Sequence, residues 1–486
     1  MATVHISQGS GFDLSVDLLV VGVYQGEVPE ELDRRFKGAI REAVQRDEAS
    51  FKWLNSWSSY SFGAVQARRV AVLGLGEKGS LGVREWKQVG GHIGQLANEA
   101  KAKSLAVMMP ETSLAPEETA EFLTEGLLVG SWHFAGYKAD PPQQSWQEAT
   151  LAGWLASAEA GVRRGEIIAR AQNFTRDLGF RPSNKLYPEL LAQEAVKAGQ
   201  SHGFSVEVFD ENKLAELGME ALLGVGAGSA HPPRLVVMRY QGGGSRTLAL
   251  VGKGITFDTG GISLKPPLGM EEMKYDMLGA GAVLGAMMAI ADLKLPINVV
   301  GLMAVAQNMP SGTAYKPGDV VKAFNGKTIE VTNTDAEGRV ALSDAVSYAA
   351  HLGVDWIVET STLTGAVVVV LGHEATGLVA TDDPLASLVL QASEASGERV
   401  WRLPIYPEYK KLYHSDVADM KNSPGRDAGT ITAGMIISEF AGNVPYAHLD
   451  IAGTAWTPKG PLNNVKNGPT GVMVPTFVKL ADMLSR

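Results

Sequence analysis

The 486-residue sequence contains no cysteine, which excludes disulfides, thiolate zinc sites and cysteine nucleophiles together. No uninterrupted apolar run reaches the ~18 residues that a membrane span requires, so no membrane partner is expected. The opening Met1-Ala2-Thr3-Val4-His5-Ile6 has neither the basic flank nor the apolar centre of a secretory signal, and cytoplasm is the expected compartment. Positive charge is in deficit: 43 Lys and Arg stand against 53 Asp and Glu, a formal net charge of −10. That balance argues against a general nucleic-acid binder, although it leaves room for a local basic patch.

Several catalytic signatures are missing as well. There is no G-x-S-x-G nucleophile elbow, and Asp258-Thr259-Gly260 has no second copy, which an aspartic protease would need. His373-Glu374 lacks a histidine at position 377, so the zincin spacing fails. Lys253 follows a glycine, but Thr247 and Gly254 break the phosphate-loop pattern at two positions.

What is present fits a large soluble protein: 45% hydrophobic and 20% charged residues, enough apolar material for a sizeable core. The length implies two domains. Residues 1–154 read as a smaller N-terminal α/β domain. Strands are expected at Asp17 to Val23, Arg69 to Leu75 and Ser104 to Met109, and helices at Pro29 to Arg46, Arg84 to Lys103 and Glu117 to Val129. Such alternation implies a parallel sheet covered on both faces. Gly74-Leu75-Gly76-Glu77-Lys78-Gly79 has dinucleotide-binding spacing, but helical pattern begins only near Val83 and no acid ends the next strand roughly 20 residues on: Glu99 falls inside the helix and Glu111 comes too late. A plain turn is expected there.

A charged, alanine-rich stretch around 155–178 reads as a linking helix, and residues 179–486 as a larger catalytic α/β domain with a central mixed sheet flanked by helices. Its strands are expected at Ser205 to Phe209, Arg234 to Tyr240, Thr247 to Lys253, Asn298 to Ala306, Trp356 to Glu359 and Tyr446 to Ile451. Met273 to Leu293 reads as one helix, its small residues allowing close approach to a sheet. Val367 to Val370 fits either strand or helix.

The chemistry gathers at two places. Asn333-Thr334-Asp335-Ala336-Glu337-Gly338-Arg339 lies between a β-branched run (Thr328 to Thr332) and a helix-like one (Val340 to Ala350). Two carboxylates that close repel unless something positive lies between them. Lys253, Asp258 and Lys265 follow an apolar strand, with Asp276 a little further on; charges in such company must be paired or coordinate a metal. None of the nine histidines lies in either cluster. Four carboxylates would balance two divalent cations, which at about 3.5–4 Å apart activate water and polarise a carbonyl or phosphoryl group. Oxygen ligands favour Mg or Mn, and a nitrogen ligand moves the preference towards Zn or Mn. Spacing alone leaves open a two-metal hydrolase and a network of structural ion pairs.

These residues resemble the leucyl aminopeptidase (cytosol aminopeptidase) family. Asn-Thr-Asp-Ala-Glu-Gly-Arg at 333–339 is similar to its signature, and Val-Gly-Lys-Gly-Ile-Thr-Phe-Asp at 251–258 to its second hallmark. The likeness continues through Gly224 to Tyr240, Met273 to Gly285, Thr362 to Ala366, Val417 to Thr432 and His448 to Gly453. It covers nearly the whole second domain, whereas the first resembles the family only in architecture. The resemblance implies a two-metal aminopeptidase that removes leucine-like N-terminal residues from peptides. One metal would be held by Lys253 (as neutral amine), Asp258, Asp276 and Glu337, the other by Asp258, Asp335 and Glu337. Lys265 would stabilise the tetrahedral gem-diolate, and Arg339 would hold a bicarbonate ion acting as general base towards a metal-bridging water. The substrate's α-amine would bind a metal. Met273, Thr362 and Gly365 would line the pocket for the first side chain, with Thr362-Leu363 and Asn333 also contacting substrate. A homohexamer is implied too. Thr259 stands where serine is commoner, and Phe180 where the family usually has Asn. The alternatives are a DNA-binding or regulatory protein retaining the peptidase fold, and a two-metal phosphoesterase.

Overall fold

The computed structural model describes residues 2–46, 49–141, 144–457 and 468–486. The chain divides into two compact units, one up to Arg170 and the other from Ala171 onward, within the helix Glu159–Phe180.

The first unit is built on six strands, β1 (Thr3–Ser7), β2 (Leu18–Val23), β3 (Ser56–Tyr60), β4 (Arg69–Gly74), β5 (Ser104–Met108) and β6 (Glu148–Ala152). They lie in the order β1-β6-β5-β2-β4-β3, and every neighbouring pair is parallel except β3 with β4. The expected central strands are present; β1, β3 and β6 were not among them. β3 (SWSSY) alternates exposed with partly buried positions on an edge, too polar a pattern to read as a strand. The single helix expected at Pro29 to Arg46 is two, Glu30–Arg35 and Ala39–Gln45. Lys37 and Gly38 between them take left-handed backbone (φ 54° and 85°), which interrupts the helical ladder. The turn at Gly74 to Gly79 is ordinary: a Cβ on Gly74 would stand 2.2 Å from the Lys52 carbonyl oxygen, so the glycine serves close chain packing.

The second unit contains β7 (Ser205–Phe209), β8 (Arg234–Gln241), β9 (Thr247–Asp258), β10 (Asn298–Asn308), β11 (Val320–Lys322), β12 (Thr328–Glu330), β13 (Trp356–Ser361), β14 (Thr376–Ala380), β15 (Val400–Arg402), β16 (Met420–Lys421) and β17 (Tyr446–Asp450). Eight of them form a mixed sheet in the order β15-β14-β17-β13-β9-β10-β8-β7, and β11, β12 and β16 form a small sheet of their own. At the centre β9 pairs in parallel with both β10 and β13, and β13 with β17. The carboxyl ends of these strands therefore converge, the place where open α/β sheets put their sites.

Two expectations need correction. β9 does not stop at Lys253 but continues to Asp258, opposite Asn308 on β10, after a register shift between Ala306 and Asn308. Met273 to Leu293 is not one helix: a 3-10 turn, Met270–Tyr275, precedes the helix Leu278–Asp292. The break turns Asp276 back towards β9, and its carbonyl accepts the Ile255 N–H at 3.2 Å. The ambiguous Val367 to Val370 lies in the helix Gly365–Leu371. Gly279 lets the buried helix begin against the sheet, since a Cβ there would stand 2.3 Å from the Thr360 carbonyl oxygen.

The helix Glu337–His351 is fixed from beneath by Asp344, fully buried, which accepts the N–H groups of Leu222 and Phe324, each at 2.7 Å. Asp344→Ala would orphan two buried donors and should cost about 2–4 kcal/mol in denaturant unfolding. Burial also raises the Asp344 carboxyl to about 7, against about 3.9 in an unfolded chain. The folded state then binds the extra proton between these values, so this contribution to stability is present at low pH and lost as pH rises through about 7. The deficit of the variant should accordingly be larger at pH 5 than at pH 8.

Candidate metal centre

Six charged groups from four segments meet at the carboxyl end of β9. Lys253, from β9, lies 2.8 Å from Asp276 Oδ2 and 2.7 Å from Glu337 Oε1. Lys265, from the loop after β9, lies 2.8 Å from Asp258 Oδ2 and 2.5 Å from Asp335 Oδ1. Lys253, Asp258, Asp276 and Glu337 are buried, and Asp335 and Lys265 partly so. Carboxylate oxygens of Asp258, Asp335 and Glu337 lie within 4.8 Å of one another, close enough to share a metal ion.

Neutral donors steady two of the acids. Asp258 Oδ1 accepts the Gly260 N–H and the Asn308 amide, each at 2.8 Å, and Asp276 Oδ1 accepts the Thr362 hydroxyl at 2.7 Å. In contrast, Asp276 Oδ2, Asp335 Oδ1 and Glu337 Oε1 are buried and, among the described residues, meet only the lysine ammonium groups. Two lysines leave two of the four negative charges unbalanced. Burial raises the Asp276 carboxyl to about 8 and lifts Asp258 and Asp335 above the ordinary carboxylate range. For Lys253 burial works against the charge, but Asp276, Glu337 and Asp258 outweigh it and the ammonium holds its proton more tightly than a free lysine. A pocket with excess negative charge, whose inward-facing oxygens have only ammonium partners, fits divalent cations.

Three side chains brace this centre. Asn308 donates to the Thr334 carbonyl at 2.9 Å as well as to Asp258, tying the 333–339 corner to β9. Tyr315 donates to the same carbonyl at 3.2 Å. Asn422 holds the corner from the other side: its amide donates to the carbonyls of Asn333 (2.7 Å) and Ala336 (3.2 Å), and its oxygen accepts the Thr332 N–H at 2.9 Å. A lone Asn or Tyr carries no spacing signal, and only the likeness at Val417 to Thr432 pointed towards Asn422.

Residues 173–478 match the model of the catalytic domain of the cytosol aminopeptidase family, and residues 20–141 match that of its N-terminal domain. The chain belongs to the cytosol aminopeptidase family. The second match corrects the expectation that the first domain shares only architecture with it. The chain is 41% identical to a probable cytosol aminopeptidase of Roseiflexus castenholzii, covering 97% of each chain, and 41% identical to one of Geobacter sp. strain M21, covering 98% of this chain and 99% of the other. A mutant of tomato leucine aminopeptidase superposes with a TM-score of 0.91 at 30% identity, over 99% of this chain and 97% of its own. The bottromycin maturation enzyme BotP in complex with Mn does so with a TM-score of 0.87 at 33% identity, over 97% and 100%. These relatives support metallo-aminopeptidase activity for this member of the family, and the acidic cluster fits the dinuclear metal chemistry of such enzymes.

In this aminopeptidase-family chain Arg339 stands in the first turn of the helix Glu337–His351, buried. Its Nη1 donates to the Asn422 carbonyl at 3.0 Å, while Nε has no partner. Asn333, Asp335, Arg339, Leu363 and Gly365 line a cavity of about 770 Å³. Thr362 points elsewhere: its carbonyl accepts Lys253 Nζ at 3.3 Å and its hydroxyl serves Asp276. Met273 is half-buried on the 3-10 turn and does not border that cavity. The Thr259 hydroxyl donates to the Asn308 carbonyl at 2.8 Å, a bond within a serine's means. Phe180 packs its ring over Gly468, where any Cβ would stand 2.3 Å from it.

Gly338 sits against the centre itself, since a Cβ there would stand 2.8 Å from Lys253 Cε and 2.9 Å from Leu363 Cδ1. Gly338→Ala must push Lys253 away from Glu337. Bound divalent metal should become at least about tenfold easier to strip with a competing chelator, with the thermal midpoint little changed.

Proposed function

We propose that this chain hydrolyses N-terminal residues, preferably leucine-like ones, from peptides, with two divalent ions, Zn or Mn, and bicarbonate as cofactors. The observation that carries this reading is the set of four mostly buried carboxylates that, among the described residues, form ion pairs only with Lys253 and Lys265. Lys253, Asp258, Asp276 and Glu337 would hold one ion, and Asp258, Asp335 and Glu337 the other. When bound, the ions supply Lewis-acid polarisation of the scissile carbonyl and acidify water.

The remaining work belongs to side chains. Lys253 must give up its proton to act as a ligand, so metal uptake releases protons. Lys265 presents a fixed ammonium to the negative charge that develops on the scissile carbonyl oxygen, the kind of preorganised charge that favours a transition state. Arg339 offers its free Nε, beside the amide groups of a helix start, to a bicarbonate that takes the proton from water. Met273, Thr362 and Gly365 would shape the pocket for the first side chain. Assembly as a cytoplasmic homohexamer belongs to the same proposal, and a solution mass of six 51.6 kDa chains is the corresponding expectation.

The decisive experiment is hydrolysis of leucine p-nitroanilide by chelated enzyme, before and after Zn or Mn is added. Activity should vanish on chelation and return with metal; no activity with any divalent ion would sink the reading. Glu337→Gln should abolish turnover by at least about 10³-fold, since it removes a shared ligand. Lys265→Ala should lower kcat by about 10²-fold with metal content retained, and loss of metal in that variant would show that its role is structural.

Metal affinity should also fall on acidification, because Lys253 and the acids bind metal only when deprotonated. Calorimetry in buffers of different ionisation enthalpy should register net proton release. Proton-neutral binding would place another group in the role given to Lys253.

A further inference from the structure

The cavity that opens from the metal centre holds a charge with no duty in the chemistry above. Its inner wall carries Asn333, Asp335 and Arg339, and its outer wall is formed by the segment before the helix Gly429–Ser438, including Arg426. Of the three residues assigned to the pocket for the first side chain, only Gly365 borders it; Met273 and Thr362 do not. On that assignment the cavity is the space left for the part of the peptide beyond the scissile bond. Its walls are otherwise largely apolar, with Leu363, Val369 and Ile431 among them.

Arg426 is exposed and makes no hydrogen bond or ion pair with any described residue, and its acidic neighbour Asp427 does not line the cavity. The turn that presents it is a constrained one: Gly425 has φ 99°, and Ala428 takes left-handed backbone at φ 51°. A non-glycine residue held there is disfavoured, so the chain fixes this turn rather than leaving it to wander. A guanidinium matches a carboxylate bidentately, and an apolar-walled recess strengthens the pairing relative to open water.

We propose that Arg426 binds a carboxylate on the leaving side of the substrate, so that the chain favours short peptides whose C-terminal carboxylate lies close behind the scissile bond. An acidic side chain on the leaving residue offers the same chemistry. The inference rests on the aminopeptidase reading.

The test compares kcat/KM for Leu-Gly with Leu-Gly-amide, and for Leu-Asp-amide with Leu-Asn-amide, in the metal-loaded wild type, Arg426→Gln and Arg426→Glu. The wild type should favour the carboxylate in the first pair by about tenfold, the range of a partly exposed charge-assisted pair. Arg426→Gln should bring that ratio close to one, and Arg426→Glu should invert it, an effect that loss of structure cannot produce. If only the second pair responds, the site reads the side chain and the short-peptide preference is overturned. A wild-type ratio near one, or a ratio unmoved by both variants, overturns the proposal while the aminopeptidase reading stands. If none of the peptides, nor leucine p-nitroanilide, is cleaved with any metal, the underlying reading has failed and takes this one with it.

Discussion

The constraint on which this structure depends is electrostatic: four carboxylates and two lysines sit at the end of one strand, mostly out of water. Taking such charges from solvent costs several kcal/mol each after relaxation, and their mutual arrangement must return that cost. Lysines between the acids recover part of it. Hydrogen bonds from Gly260, Asn308 and Thr362 recover more. Two negative charges remain, and no neutral donor can offset them as a cation would. The strain is therefore local: a proton on Asp276 relieves part of it and divalent cations would relieve more, which is why the same residues that look unfavourable for folding suit a metal site.

The rest of the second unit can be understood as a device for holding these groups still. β9 is central, flanked in parallel by β10 and β13, so Lys253 is paired with Ala304 on one side and directly follows Gly252, the last β9 residue paired with β13 on the other. Asp276 arrives on a 3-10 turn whose helix is pressed against β9 and β13 by a glycine. Asp335 and Glu337 are the exception, because their corner follows β12, which belongs to the small peripheral sheet. Nothing in the main hydrogen-bond ladder positions it. Asn308 and Asn422 take that task, one from the central sheet and one from the loop after β16. An asparagine can donate and accept at once, which suits it to clasp a turn whose carbonyls and N–H groups face both ways.

This division explains what could be read from the sequence. Asp335 and Glu337 were legible because two acids two residues apart are chemically conspicuous, and Lys253, Asp258 and Asp276 because charge in apolar company is. The central strands were legible from their buried runs. β9 was underestimated because Thr256 and Asp258 look like loop residues, and only the fold shows that the strand carries them to the site. Asn308, Tyr315 and Asn422 were not legible from pattern, since each acts through a few hydrogen bonds, mostly to distant backbone. Edge strands such as β3 were missed for a related reason: half their surface faces water, and their sequence says so.

The three cations near the centre share a sign but not a circumstance. Lys253 is buried between two acids, so it can serve a metal only by losing its proton. Lys265 contacts two acids from a more open position, with its side chain 22% exposed; were metals to claim those acids, its charge would be free to turn towards substrate. Arg339 makes one hydrogen bond, to a neutral carbonyl, and keeps Nε unpartnered. A guanidinium cannot be deprotonated in a protein at working pH, so Arg339 keeps a permanent charge without a permanent partner. That combination suits an anion that must be held and exchanged. On the proposed reading, equal charges would thus take ligand, stabilising and anchoring duties from their surroundings alone.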